Sequence, residues 1–328
     1  MVTRRSVLAQ GAAYAAAFAA SSMPAPGAFA QVFPTRPVRI IVPFPPGGPA
    51  DVAVRVAQPG MEKVLGQPII VENMGGGAGA IGLTRVLQAE PDGYMLLQAA
   101  SPHTTSAAVR PVSNVDLLRS FAPIGQTGNS TFTLVVSPAL GVKTLDELIR
   151  MAKGKPGELK FGSVGNGSSQ HLVMEIVKSR AGIELTHVPY RGEAPAIVDL
   201  SAGRIDMMFM ASAKQYIDGG QVIGIGTSSA EQWFNLPQLK PLSEQGLPGF
   251  VIDGWNGLMA PKNTPPAVIA KLSEALSAGL KTDAAVRALN AMGFKPGDGT
   301  PEPMAKQIAR DMDVFTTVIR ERQLKFDN

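Results

Sequence analysis

Short apolar runs rich in β-branched residues alternate with amphipathic stretches along most of this chain, the pattern of an α/β fold. Val38–Phe44 (VRIIVPF) predicts a buried strand. The turn Pro45-Pro46-Gly47-Gly48-Pro49-Ala50 then leads at Asp51 into a helix through about Leu65. Ile69–Asn73 predicts the next strand, and the glycines Gly75–Gly79 lead into a helix ending near Ala89. Met95–Ala99 predicts a third strand, closed by the polar segment Ala100–Thr104.

The middle of the chain repeats the scheme. Strands are predicted at Phe132–Val136, Leu159–Ser163, Leu185–Val188, Ile205–Met210 and Val222–Gly226. Thr144 followed three residues later by Glu147 is a capping box that opens a helix. Val164–Ser169 (VGNGSS) is a polar glycine loop before a helix through Arg180. After Gly254-Trp255-Asn256-Gly257 the last seventy residues read as helical, with starts marked by Thr264-Pro265 and Thr300-Pro301.

The N-terminus departs from this pattern. Arg4 and Arg5 precede an apolar, alanine-rich stretch from Val7 to Ala20, and Ala28-Phe29-Ala30 offers a small-residue cleavage site. Residues 1–30 are therefore expected to be a signal peptide, and the arginine pair ahead of Val7 and Leu8 resembles a twin-arginine export signal. The apolar core is too short to span a bilayer. The chain has no cysteine, which excludes disulfides, thiolate metal sites, cysteine nucleophiles and a lipid-modified cysteine anchor. An exported, unanchored protein is expected in a periplasm. Removing Arg4 and Arg5 leaves 28 basic against 26 acidic residues, and no basic cluster argues for nucleic acid.

Catalytic motifs are weak. Gly77-Ala78-Gly79-Ala80-Ile81-Gly82 matches a dinucleotide fingerprint, but the following strand ends Gln98-Ala99-Ala100-Ser101, without the acidic residue that would hold a ribose. Close packing of a helix on a strand is the simpler reading. His103, His171 and His187 are widely spaced, with no metal-ligand pattern, so no cofactor and no metal is expected. Asp51 reads as an N-cap that stiffens the loop before it. What remains is at least two strand–glycine loop–helix units. Their helix N-termini carry unpaired N–H groups and partial positive charge, suited to phosphate, sulfate or carboxylate.

Several segments then resemble one family. Val42-Pro43-Phe44-Pro45-Pro46-Gly47-Gly48-Pro49-Ala50-Asp51 is similar to the first-loop segment of the Bug-type receptors, the periplasmic solute-binding components of tripartite tricarboxylate transporters. Gln67–Asn73, Pro91-Asp92-Gly93-Tyr94, Gly165–Leu172, His187–Ala196, Gly246–Phe250 and Leu258–Pro261 resemble further family segments, in family order across the mature chain.

The resemblance implies a type II periplasmic-binding-protein fold, with two α/β lobes joined by crossover strands near Gly125–Val135 and Ile252–Met259. Lobe one would hold residues 31–128 and 254–328, and lobe two 129–253. A small organic carboxylate would bind between lobes that close on it. By this analogy Phe44, Pro46, Gly47, Gly48, Ala50 and Asp51 face Ser163, Gly165, Asn166, Gly167, Ser168 and Ser169, with Ser101, His103 and Thr104 lining the same cleft. Pro49 stands where relatives often carry Gly or Ala, which removes one backbone donor. Met210 replaces an acidic residue of the family pattern, so the expected ligand lacks an amine and has an apolar or aromatic middle against Met210. Arg191 or Lys214 would meet a second carboxylate. The alternative is that Met210 is core and Lys214 a solvated helix residue. The expected protein is a monomeric receptor, not an enzyme, that delivers a mono- or dicarboxylate to membrane transporter subunits. A sensor adaptor for a membrane kinase and an enzyme on the same fold are the alternatives.

Overall fold

β1 (Val38–Val42) is an interior strand of the first sheet, with four of its five residues fully buried and only Arg39 turned outward. The computed structural model describes residues 33–76, 79–109 and 116–326, so the proposed signal peptide lies outside the described residues. All the elements below lie within the unit formed by residues 36–328. β1 pairs in parallel with β2 (Ile69–Asn73) and β3 (Met95–Ala100). The helices α1 (Pro49–Leu65) and α2 (Ala80–Leu87) follow β1 and β2. The segment after β3, read from the sequence only as a polar closure of the strand, forms a helix, α3 (Ser101–Val109). Ser101, His103, Thr104, Thr105 and Ala108 are all buried in it, so it shows no apolar stripe for a pattern reading to detect.

A short helix, α4 (Leu117–Ser120), precedes β4 (Phe121–Thr131), and the chain then enters β5 (Thr133–Val136) after a single residue, Phe132. β4 belongs to the first sheet and β5 to the second. In the second lobe come α5 (Leu145–Gly154), β6 (Lys160–Ser163), α6 (Ser169–Ala181), β7 (Thr186–Pro189), α7 (Glu193–Ser201), β8 (Met207–Met210), α8 (Lys214–Asp218) and β9 (Ile223–Thr227). The capping box at α5 is present, with Thr144 Oγ1 accepting from the Glu147 N–H. The second sheet runs β7-β6-β8-β5-β9, with β5 antiparallel to both its neighbours. The chain returns through β10 (Asp253–Pro261), which lies antiparallel between β3 and β4. The helices α9 (Pro266–Leu280) and α10 (Asp283–Ala291), the short strand β11 (Lys295–Pro296) and the helix α11 (Pro301–Glu321) complete the chain. The first sheet is thus ordered β11-β4-β10-β3-β1-β2.

Ser228 ties the crossings together. Its hydroxyl accepts from the Phe132 N–H at 2.9 Å, its N–H donates to the Phe132 carbonyl at 2.8 Å, and its carbonyl accepts from Ile252 at 3.1 Å. α11 belongs to both lobes: Met304 and Ile308 lie in the core under the first sheet, whereas Phe315 and Val318 lie in the core of the second.

α1 and α9 approach so closely that neither can carry a side chain at the contact. A Cβ on Gly60 would stand 2.5 Å from the Gly279 Cα, and one on Gly279 would stand 2.4 Å from the Ala57 carbonyl oxygen. Helix propensity alone predicts that Gly279→Ala stabilises by about 1 kcal/mol. The backbone contact should reverse this to a net loss of about 1–3 kcal/mol. Urea unfolding is the check, and a midpoint equal to or above that of the parent would contradict the contact.

Candidate functional site

Between the two sheets lies a cavity of about 590 Å³. Lobe one lines it with Phe44–Ala50, Ala100–Pro102, Gly254–Asn256 and Phe294. The crossing and lobe two contribute Ser130, Phe132, Ser169, Gln170 and Ala211. Three helices begin at this space: α1 at Pro49, α3 at Ser101 and α6 at Ser169. The first turn of each leaves N–H groups that the helix itself cannot pair, with partial positive charge behind them.

The loop before α1 is built tightly. Gly47 takes φ +79°, a left-handed conformation that suits glycine, and Gly48 is the helix cap, with no side-chain bond at that end. Asp51 is therefore not the cap. It lies on the first turn, almost fully buried, and accepts from the Gly47 N–H at 2.9 Å, from Arg55 Nε at 2.9 Å and from Asn73 Nδ2 at 2.9 Å. Asn73 also donates to the Phe44 carbonyl at 3.2 Å. Burial by itself would raise the Asp51 pKa, but the bonds from Arg55, Gly47 and Asn73 outweigh it and hold the carboxyl below its ordinary value. Asp51 thus ties the loop from behind and does not line the cavity.

The second glycine loop is placed differently from the expectation. Ser169 reaches the main cavity, but Gly165, Asn166, Gly167 and Ser168 line a separate space of about 270 Å³ beside α3, which shares Pro102, Ser169 and Gln170 with the main one. Ser168 Oγ caps α6 by accepting from the His171 N–H. Ser163 is fully buried, with its hydroxyl donating to the Gly165 carbonyl at 2.9 Å and 2.7 Å from His187 Nε2. His187 stacks on His171 with ring centroids 3.8 Å apart, and His171 Nδ1 accepts from the Gly167 N–H. These contacts fix the shape of the loop.

Other expectations are corrected. Met210 is fully buried among Ile197, Leu200, Ala213 and Val222 in the second lobe's core, so it forms no cavity wall. Lys214 lines an adjoining space of about 510 Å³ and is paired with Asp218 at 2.6 Å. Arg191 is exposed and stands apart from the main cavity. Thr104 is fully buried, and His103 is buried with its ring edge-on to Phe44. Burial lowers the His103 pKa to about 4, against an opposing bond to the Ala100 backbone, so its ring supplies no cation at neutral pH. Gly77 of the dinucleotide-like motif lies outside the described residues. Gly82 is a packing glycine, since a Cβ there would stand 2.9 Å from Pro43 Cβ. Sequence reasoning missed Ser130, Phe132, Gln170, Ala211, Trp255, Asn256 and Phe294, which come from the strands β4 and β10, the first turn of α6 and three separate connections.

Two α/β lobes, joined by crossing strands and enclosing a cavity where helices begin, define a solute-binding protein of the type II periplasmic-binding fold. Residues 53–324 match the model of the tripartite tricarboxylate transporter family receptor, and the chain belongs to that family. BugT of Bordetella pertussis is 34% identical over 300 residues, covering 90% of this chain and 92% of that protein. The structure of Rhodopseudomonas palustris Rpa4515 with adipate is 28% identical with TM-score 0.71, covering 88% of this chain and 97% of that one. The structure of MatC from Rhodopseudomonas palustris with bound malate is 28% identical with TM-score 0.70, covering 88% of this chain and all of that one (100%). Among the described residues, no helix is long and apolar enough to cross a membrane, and no group of three or more His, Cys, Asp or Glu is placed to hold a metal.

Asp253, the first residue of β10, faces a polar space beside the crossing with Asn129, Lys295 and Arg310. Burial pushes its carboxyl up to about 7. Asp311 adds to this, against Arg310, Lys295 and Ser228, and burial likewise raises Asp311 to about 6. The folded state therefore holds the Asp253 proton to higher pH than the unfolded chain. The stability it contributes is present below about pH 4 and lost as pH rises through 7. The buried His171 and His187, lowered to about 4 mainly by burial, act in the opposite sense: their contribution is present above about pH 6.5 and lost as pH falls toward 4. Asp253→Asn should remove the first effect, so that its melting temperature relative to the parent rises from pH 5 to pH 8, by the equivalent of a few kcal/mol, on the order of 3. A constant difference across that range would refute the assignment.

Proposed function

We propose that this protein is a periplasmic receptor that captures a small organic carboxylate between its lobes and delivers it to the membrane subunits of a tripartite tricarboxylate-type transporter. The observation that carries this reading is the convergence of the α1, α3 and α6 starts on one cavity between lobes that a hinge can bring together. Rpa4515 with adipate and MatC with malate support carboxylate as the ligand class. Export of the chain and action as a monomer belong to the same reading. Charge-assisted hydrogen bonds of about 1.5–3 kcal/mol each, less the cost of ordering, suffice for a micromolar receptor.

A thermal-shift screen of the mature protein with aliphatic and aromatic carboxylates, each paired with its amide, should give a rise for a carboxylate and none for its amide. Ser169→Pro then tests the site. Ser169 is the first helical residue of α6, and Ser168 before it is extended (φ −69°, ψ 162°), so proline fits the backbone while removing one N–H beside the cavity. Affinity should fall about tenfold in Ser169→Pro and less in Ser169→Ala. Equal affinity in parent and Ser169→Pro, measured by calorimetry, would remove the site. A panel with no carboxylate bound would remove the function.

A further inference from the structure

The cavity's two ends differ chemically, and the difference narrows the ligand. One end is marked by Pro102, Ser169 and Gln170, shared with the smaller space beside α3. There the α3 and α6 starts and the Ser101 and Ser169 hydroxyls supply donors. The other end is marked by Pro49 and Ala211, shared with the adjoining space around Lys214. Pro49 has no N–H to give. The Ala211 N–H is already held at 2.9 Å by the Glu193 carboxylate, which also accepts the Ser212 hydroxyl. Beyond it, Lys214 is committed to Asp218, and Asp218 lines that same space. A second anion at this end therefore approaches two carboxylates and one cation already paired.

The walls agree. Phe44, Phe132, Trp255 and Phe294 line the cavity, and among the described residues lining it none carries a charge. We propose that the receptor takes a monocarboxylate with an apolar, aromatic-sized body, and discriminates against dicarboxylates. This rests on the carboxylate-receptor reading above and specifies its ligand class. The charged end sits at the α3 and α6 starts and the body lies against the aromatic walls, where flat rings pack well. A second carboxylate loses its hydration and meets only the α1 start, one donor short at Pro49 and flanked by the Glu193 and Asp218 carboxylates, which should cost at least about 100-fold in affinity.

Calorimetry with benzoate and phenylacetate against terephthalate and adipate tests this. Benzoate and terephthalate differ only in the second carboxylate. The expected result is that an aryl monocarboxylate binds at least about 100-fold more tightly than either dicarboxylate. Terephthalate or adipate binding as tightly as both monocarboxylates overturns this inference and leaves the receptor reading intact. Failure of every carboxylate overturns both. Asp218→Asn, an exposed change that frees Lys214 and removes one acid, should improve dicarboxylate binding about tenfold and leave the monocarboxylates unchanged. Phe294→Arg, at a half-buried wall, should narrow the preference in the same direction. If neither variant moves the ratio, the far end is not where the second charge is rejected.

Discussion

An α-helix cannot pair the N–H groups of its own first turn, and the organisation of this protein follows from where those groups are left. The parallel strands β1, β3 and β6 all end toward the cleft, so the helices that follow them begin there. A charged ligand can be held with no lysine or arginine in the wall. Under the proposed function the charged end of the ligand would meet mainly backbone, which accounts for the loop chemistry there. Gly47 allows the turn, Asp51 and Asn73 hold it from behind, and Pro49 sets the first helical residue while removing one donor.

The strand–loop–helix rhythm was legible because apolar runs and turn residues mark it directly. β1, β2, α1 and the capping box of α5 appear close to where their patterns place them. β4 was expected only through the family resemblance, as a crossing near Gly125–Val135, because its own sequence, FAPIGQTGNST, lacks β-branched density and carries two glycines. The structure supplies the reason for one of them: a Cβ on Gly125 would stand 2.2 Å from the Gly299 backbone. A packing demand from a distant part of the chain outweighs strand propensity there, and no local window contains it.

The first loop of the site was legible for the same reason that its helix was, while the second was legible only in part. Its glycines and serines fit an anion cradle, but the side chains that decide its orientation, His171 and His187, act through stacking and a hydroxyl contact that no spacing rule encodes. The aromatic walls were hidden more completely. Phe132 sits between two strands of different sheets and Phe294 between a helix and a short edge strand, so only the assembled fold brings them to one surface. Met210 shows the opposite failure. A departure from the family pattern drew attention to a side chain that points into a core.

The last helix bears on how the two lobes are completed. Lobe two is continuous in sequence, yet Phe315 and Val318 of α11 close its interior, and Arg322 bonds to the buried Glu175 and the exposed Glu184. The interior of lobe two is therefore incomplete without a segment distant from it in sequence, and the same helix is fastened to both halves.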